Sequence, residues 1–116
     1  MERDGWALAF LCTLLVETPV YFFALRRMLG PAGALLASLV LNLATHPIAW
    51  STIMAAPDEF PGRFLAVECA VTLVEALLIF AVGRTRLSRR PIKIVEALAI
   101  SLAANGFSAG IGLLLW

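Results

Sequence analysis

The stretch GALLASLVLNLATHPIAWSTIMAA, residues 33–56, is long and apolar enough to cross the hydrocarbon core of a bilayer, which takes about 20 residues as a helix. Inside it, Asn42, Thr45 and His46 stand at positions i, i+3 and i+4, so they share one helical face. Polar side chains within a membrane span usually face other helices or a water-filled cavity. This stretch therefore predicts a membrane helix whose polar face is turned toward protein.

Three further apolar blocks accompany this one along the chain of 116 residues. Hydrophobic residues make up 61% of the sequence and the mean hydropathy is +0.92, whereas soluble domains are about 45–50% apolar. Short connections between the blocks favour sequential antiparallel neighbours. We therefore predict one all-α transmembrane domain over residues 1–116, an antiparallel four-transmembrane-helix bundle with spans at 5–25, 33–56, 64–83 and 92–116.

Basic residues are concentrated in two of the predicted connections and indicate an orientation. Seven of the nine lysines and arginines lie there: Arg26, Arg27, Arg84, Arg86, Arg89, Arg90 and Lys93. Such residues collect on the cytoplasmic side of a plasma (inner) membrane, which predicts a multi-pass protein with both termini non-cytoplasmic. Anionic lipid accounts for these arginines, so the lipid bilayer is an expected partner and nucleic acid is not.

Four ionisable side chains fall inside the predicted spans, namely Glu17, His46, Glu68 and Glu75. Glu17 and Glu75 lie at similar depth on helices that run in the same direction, so they are expected to approach each other across the core. Two buried carboxylates that close do not both stay ionised without a cation, so either one carries a proton or a metal or sodium ion lies between them.

These observations predict a polar intramembrane site that binds or translocates a cation, either a proton or a divalent metal. The candidate ion-binding residues are Glu17, Asn42, His46, Glu68, Glu75 and Asn105. No cofactor is identified beyond one candidate, a divalent metal ion held by His46, Glu68 and Glu75, since carboxylate and imidazole together suit transition metals. The alternative for the amides and hydroxyls is hydrogen bonding between helices, and His46 fits a core histidine equally well.

Two other functions stay open. Gly106 and Gly110 in GFSAG are spaced for close helix packing, so the fourth predicted helix is a candidate surface for a second copy or a larger membrane complex. An accessory or assembly subunit is therefore the first alternative. The second is an intramembrane enzyme acting on lipid or peptide with His46 as base, but no catalytic residue is assigned because the chain has no recognisable nucleophile motif.

Several segments together resemble an uncharacterised family of small bacterial four-span membrane proteins with an N-x-x-T-H-P-x-x-W motif. These segments are ETP at 17–19, NLATHPIAW at 42–50, the glutamates at 68 and 75, and SLAANGFSAGIGLLL at 101–115. The resemblance spans nearly the whole chain and implies a shared fold and polar core, but no activity. A likeness to the small multidrug resistance transporters covers only size and Glu17, and the charge bias and His46 depart from it.

Overall fold

The computed structural model describes the backbone of residues 2–115 and the side chains of residues 5–115. It contains three α-helices, α1 (Glu2–Met54), α2 (Gly62–Gly83) and α3 (Ile94–Leu115), with a short 3-10 turn at Pro57–Glu59 before α2. No strand occurs within residues 2–115. The described part of the chain is therefore all-α, and α2 and α3 match two of the predicted spans to within about two residues.

The prediction of four separate helices is wrong, because α1 runs through both of the first two predicted spans. The predicted connection at residues 26–32 is helical except at Gly30, whose backbone angles are φ 79° and ψ 165°. That conformation is essentially restricted to glycine. Pro31 follows and suits the first turn of a helix, so the chain resumes helical geometry at once and forms no loop.

The break at Gly30 folds α1 back on itself. A straight helix of 53 residues is about 80 Å long at about 1.5 Å per residue, yet the longest extent of the molecule is 44 Å. The hydroxyls of Thr18 and Ser38, one from each half of α1, lie 3.0 Å apart. The backbone N–H of Arg89 donates to the Met28 carbonyl beside the break at 2.8 Å. The two halves of α1 therefore pack against each other, and the segment before α3 secures the bend.

Apolar packing fills the interior next to this bend, a region we call the closed end and define by Leu25, Met28, Ile79, Gly83 and Ile92. All five residues are buried. A methyl group on Gly83 would overlap the Ile92 side chain, so glycine lets the segment before α3 approach the end of α2. The seven clustered basic residues lie at this same end of the molecule, and all of them are exposed.

The surface of the molecule is largely apolar, and part of its interior is polar, unlike the usual arrangement in water-soluble proteins. Large apolar side chains point outward, among them Leu15 (76% exposed), Ile48 (70%) and Leu114 (86%). Buried polar side chains include Glu17, Ser38, Asn42, Thr45, Glu75, Ser101 and Asn105. Each of the three helices is long and apolar enough to cross a membrane by length and composition. An apolar exterior around a polar interior is the arrangement expected in lipid.

Candidate functional site

Glu75, in the middle of α2, is the centre of the polar interior and is fully buried. Its Oε2 accepts hydrogen bonds from the Tyr21 hydroxyl and from Asn105 Nδ2, the latter at 2.8 Å, and its Oε1 lies 2.8 Å from Thr45 Oγ1. Tyr21 comes from the first half of α1, Thr45 from its second half, and Asn105 from α3. A buried carboxyl group is costly without such partners, and here every packed segment supplies one.

The hydroxyl of Thr45 has two acceptors within reach, although it carries a single proton. Its Oγ1 lies 2.9 Å from the Leu41 carbonyl oxygen and 2.8 Å from Glu75 Oε1. When Glu75 is ionised, Thr45 donates to Oε1. When Glu75 carries a proton on Oε1, that proton is donated to Thr45, which then donates to Leu41. The network therefore satisfies both protonation states of Glu75 without movement of any heavy atom.

Hydrogen bonds to the backbone hold the amide of Asn105 in position. Its Nδ2 also lies 3.0 Å from the Ser101 carbonyl, one turn earlier in α3. The Ser101 hydroxyl in turn donates to the carbonyl of Thr72 in α2 at 2.7 Å. Because these bonds tie α3 to α2 next to Glu75, the amide is presented to the carboxyl group by a rigid segment.

Glu17 is the second buried carboxyl group and, unlike Glu75, it is incompletely satisfied. It is 2% exposed, lies beside Asn42 and Ser108, and is within electrostatic range of Glu75. Its Oε2 has no hydrogen-bond partner among the described residues. An unsatisfied buried polar atom costs about 1–3 kcal/mol, and more when charged. Such an atom in a native structure usually indicates a water, an ion or a ligand at that position.

A cavity of about 370 Å³ begins at Glu17 and extends to the end of the molecule formed by Gly5, Ile53, Phe64 and Leu115, which we call the cavity end. Its polar lining consists of Cys12, Thr13, Glu17, Asn42, Thr45, His46, Glu68, Asn105 and Ser108. The remaining lining residues are apolar, glycine or aromatic, and no lysine or arginine is among the residues that line it. Glu17 therefore borders a cavity whose ionisable lining residues are Cys12, Glu17, His46 and Glu68.

His46 lies in the cavity wall within a group of aromatic rings. Its ring centroid is 5.2 Å from that of Phe10, 6.1 Å from Trp6 and 6.4 Å from Trp50. Its Nδ1 is buried and has no hydrogen-bond partner in the described part of the chain. The imidazole is therefore positioned mainly by ring packing, with one nitrogen available to a ligand or a water.

The predicted metal set of His46, Glu68 and Glu75 does not come together. Among the side chains of residues 5–115, no group of three histidine, cysteine, aspartate or glutamate residues is arranged to hold a metal ion. The physical reason lies in the partners of each residue. Both oxygens of Glu75 are already engaged by Tyr21, Thr45 and Asn105, while His46 is held among rings in the cavity wall.

Most of the other predicted site residues meet in the interior. Glu17, Asn42, Glu75 and Asn105 are all buried there, and the half-buried Glu68 lines the cavity. The Asn42 amide donates to the Ser38 carbonyl at 3.0 Å, so part of its role is hydrogen bonding within α1. By contrast, Gly106 and Gly110 face outward with nothing within 4 Å of an added methyl group. Their predicted contact with a partner helix stays a prediction.

Sequence reasoning left two central residues, Tyr21 and Thr45, out of the predicted site. Tyr21 is fully buried and bonds Glu75 directly, and Thr45 is the other hydroxyl on that carboxyl group. A signal for both was present in helical spacing. Tyr21 lies four residues after Glu17, and Thr45 lies between Asn42 and His46 on the same polar face.

Comparison with known proteins identifies no relative. No protein-family model, curated protein or solved structure matches this chain. The resemblance to four-span bacterial proteins therefore stays a prediction, and the function has to be inferred from the geometry of the site.

Proposed function

We propose that this chain is a multi-pass membrane protein that takes up a cation, in the first place a proton, at the Glu17–Glu75 pair. In the proposed orientation the basic closed end faces the cytoplasm, and the cavity end and both termini face the other side. The observation that carries the proposal is the buried Oε2 of Glu17, which lacks a partner among the described residues and belongs to a residue that lines the cavity.

Electrostatics supports a cation at this position. Glu17 and Glu75 are both buried and within electrostatic range of each other, and Glu68 lies in the wall of the same cavity. Like charges in a buried, low-dielectric site repel strongly, so the pair is stable when one carboxyl group binds a proton or when a cation neutralises it. No lysine or arginine among the cavity-lining residues supplies that charge.

The hydrogen-bond network favours a proton over a divalent metal. Thr45 bonds with Glu75 in either protonation state, whereas a metal requires several converging ligands at short distances. Glu17 lines the cavity and its buried Oε2 lacks a partner in the described part of the chain, so we assign it as the first acceptor for a proton from that side. Glu75, deeper and fully partnered, is the second group of the pair.

The cavity of about 370 Å³ that includes Glu17 extends from the pair toward the cavity end. The interior beyond Glu75 is packed with Leu25, Met28, Ile79 and Ile92 and leads to the bend at Gly30. We therefore assign proton uptake to the cavity end. Release to the opposite side requires a second conformation in which the closed end separates, so proton binding is the supported function and transport is its extension.

Infrared difference spectroscopy of the purified protein tests the proposal directly. A protonated carboxyl group has a C=O stretching band that a carboxylate lacks. Raising the pH should therefore remove such a band from the spectrum of wild type, and Glu17→Gln should not show this band. Glu59→Gln is the matched control, since Glu59 is an exposed acid paired with Arg63 outside the cavity. A Glu17→Gln spectrum that still shows this band would contradict proton binding at Glu17.

Elemental analysis of the gently purified protein checks the choice between proton and metal. We expect no stoichiometric metal. A stoichiometric metal that disappears in a His46→Ala, Glu75→Gln double variant would overturn the preference for a proton and restore the metal interpretation.

A further inference from the structure

The cavity in front of Glu17 has a composition that a bare proton or a small inorganic ion does not need. Its volume of about 370 Å³ equals roughly twelve waters at about 30 Å³ each. Glu17, Asn42 and Ser108 form a polar inner part, while His46 and Glu68 lie among the apolar residues of the remaining walls. Hydrated inorganic cations are bound by oxygen ligands on several sides, which this cavity does not offer along its length.

The walls between Glu17 and the cavity end are largely apolar and partly aromatic. The apolar lining residues include Leu8, Val16, Ala49, Ile53, Val71 and Ile111. The rings of Trp50 and Phe64 also line the cavity. A concave, mostly apolar pocket with a few convergent polar groups is typical of a small-molecule site, and aromatic rings bind organic cations favourably.

The charges of the cavity define the sign of its ligand. The carboxyl groups that line it belong to Glu17 and Glu68, no lysine or arginine is among its lining residues, and the buried Oε2 of Glu17 lacks a partner among the described residues. An anionic ligand would be repelled, and a neutral apolar ligand would leave that oxygen unsatisfied. A positively charged group at Glu17 satisfies the carboxylate, and an apolar body then contacts the walls.

We propose that the cavity binds an organic cation, an amine or quaternary ammonium with an apolar group, whose charge lies at Glu17 in place of the proton. This inference rests on the proposed cation uptake at Glu17 and adds the chemical class of the ligand. The ammonium group occupies the polar inner part, and the apolar group lies between Trp50, Phe64 and the aliphatic wall.

A pair of isosteric probes tests the proposal. Benzyltrimethylammonium has a permanent charge and an apolar ring, and neopentylbenzene has the same shape with carbon in place of nitrogen. Titration calorimetry of the full chain in dodecyl maltoside micelles should show saturable binding of the charged probe and at least tenfold weaker binding of the neutral one. Glu17→Gln should weaken binding of the charged probe at least tenfold, and Glu59→Gln should leave it unchanged.

A cavity-filling variant provides a second test that stays informative if Glu17→Gln does not fold. Ile111 lines the cavity and is 38% exposed, so Ile111→Trp fills space near the cavity end without touching the carboxyl pair. It should also reduce binding at least tenfold while circular dichroism stays that of wild type. Equal binding of the two probes, undiminished binding by both variants, or no saturable binding by folded wild type would each overturn the proposal.

The outcomes also separate this inference from the proposed function. If the infrared band of Glu17 is present but benzyltrimethylammonium does not bind, the organic-cation proposal fails and proton uptake stands. If wild type shows neither the infrared band nor binding of benzyltrimethylammonium, both proposals fail.

Discussion

The two ends of the molecule differ in how their interiors are filled. At the closed end, Leu25, Met28 and Ile79 are at most 3% exposed and pack without polar neighbours. At the cavity end, the same helices diverge around about 370 Å³ of space lined by Glu17, Glu68 and apolar walls. Glu75 and its partners separate the two regions.

This difference shows how one small bundle combines stability with a binding site. Membrane helices gain little from the hydrophobic effect because lipid is as apolar as their side chains, so they depend on packing and on interhelical hydrogen bonds. The closed end supplies the packing and the Glu75 network supplies the hydrogen bonds. In the proposed function, side chains at the cavity end bind the cation.

The largest expected effect distinguishes two glutamates of α2, Glu75 and Glu68. Glu75→Ala leaves the Tyr21 and Asn105 donors without their acceptor, at about 1–3 kcal/mol each, so the free energy of unfolding should fall by about 3 kcal/mol or more. Glu68→Ala removes a half-buried group in the cavity wall, with an expected change of about 0.5 kcal/mol. The measurement is unfolding by SDS in dodecyl maltoside micelles, followed by circular dichroism.

Equal losses from Glu75→Ala and Glu68→Ala would contradict the separation of structural and cavity carboxyl groups. Equal losses would indicate that residues of the cavity end stabilise the protein as much as the hydrogen bonds around Glu75 do.

A smaller effect should separate two isoleucines, one from each end. Ile79 is 3% exposed at the closed end and Ile111 is 38% exposed in the cavity wall. We expect Ile79→Ala to lower the free energy of unfolding by about 2 kcal/mol, the low end of the range for core truncation, because lipid already provides an apolar environment. Ile111→Ala enlarges an existing cavity and should cost less than half of that in the same SDS titration.

The smallest predicted effect concerns a single methyl group at two glycines. Gly83→Ala places a methyl against Ile92, and overpacking of this kind costs about 1 kcal/mol at the low end of its range, which we expect here because the closest atom is a methyl at the end of the Ile92 side chain. Gly106→Ala meets nothing within 4 Å and should leave the stability unchanged or slightly raised. A Gly106→Ala protein that loses stability comparably would indicate that the outward face of α3 is packed against a second copy.

The sequence predicts much of this fold because hydropathy and periodicity act locally. Spans near α2 and α3, the polar face around Asn42 and the approach of Glu17 to Glu75 all follow from apolar length and helical spacing. The sequence does not determine whether residues 26–32 form a loop, because Gly30 and Pro31 are typical both of a loop and of a sharp break within one helix. Only the tertiary structure shows the break, where the backbone N–H of Arg89, from a distant segment, donates to the Met28 carbonyl.

The same distinction between sequence and tertiary structure applies to the candidate site. That four ionisable residues lie in apolar helices is determined by the sequence alone, and their cost in lipid indicates a functional or hydrogen-bonded interior. Which carboxyl group is satisfied and which stays open is decided only by the tertiary structure. Glu75 meets Tyr21, Thr45 and Asn105 from three different segments, while Glu17 faces a cavity. The physical reason is that hydrogen bonds depend on distances between segments, which local spacing does not specify.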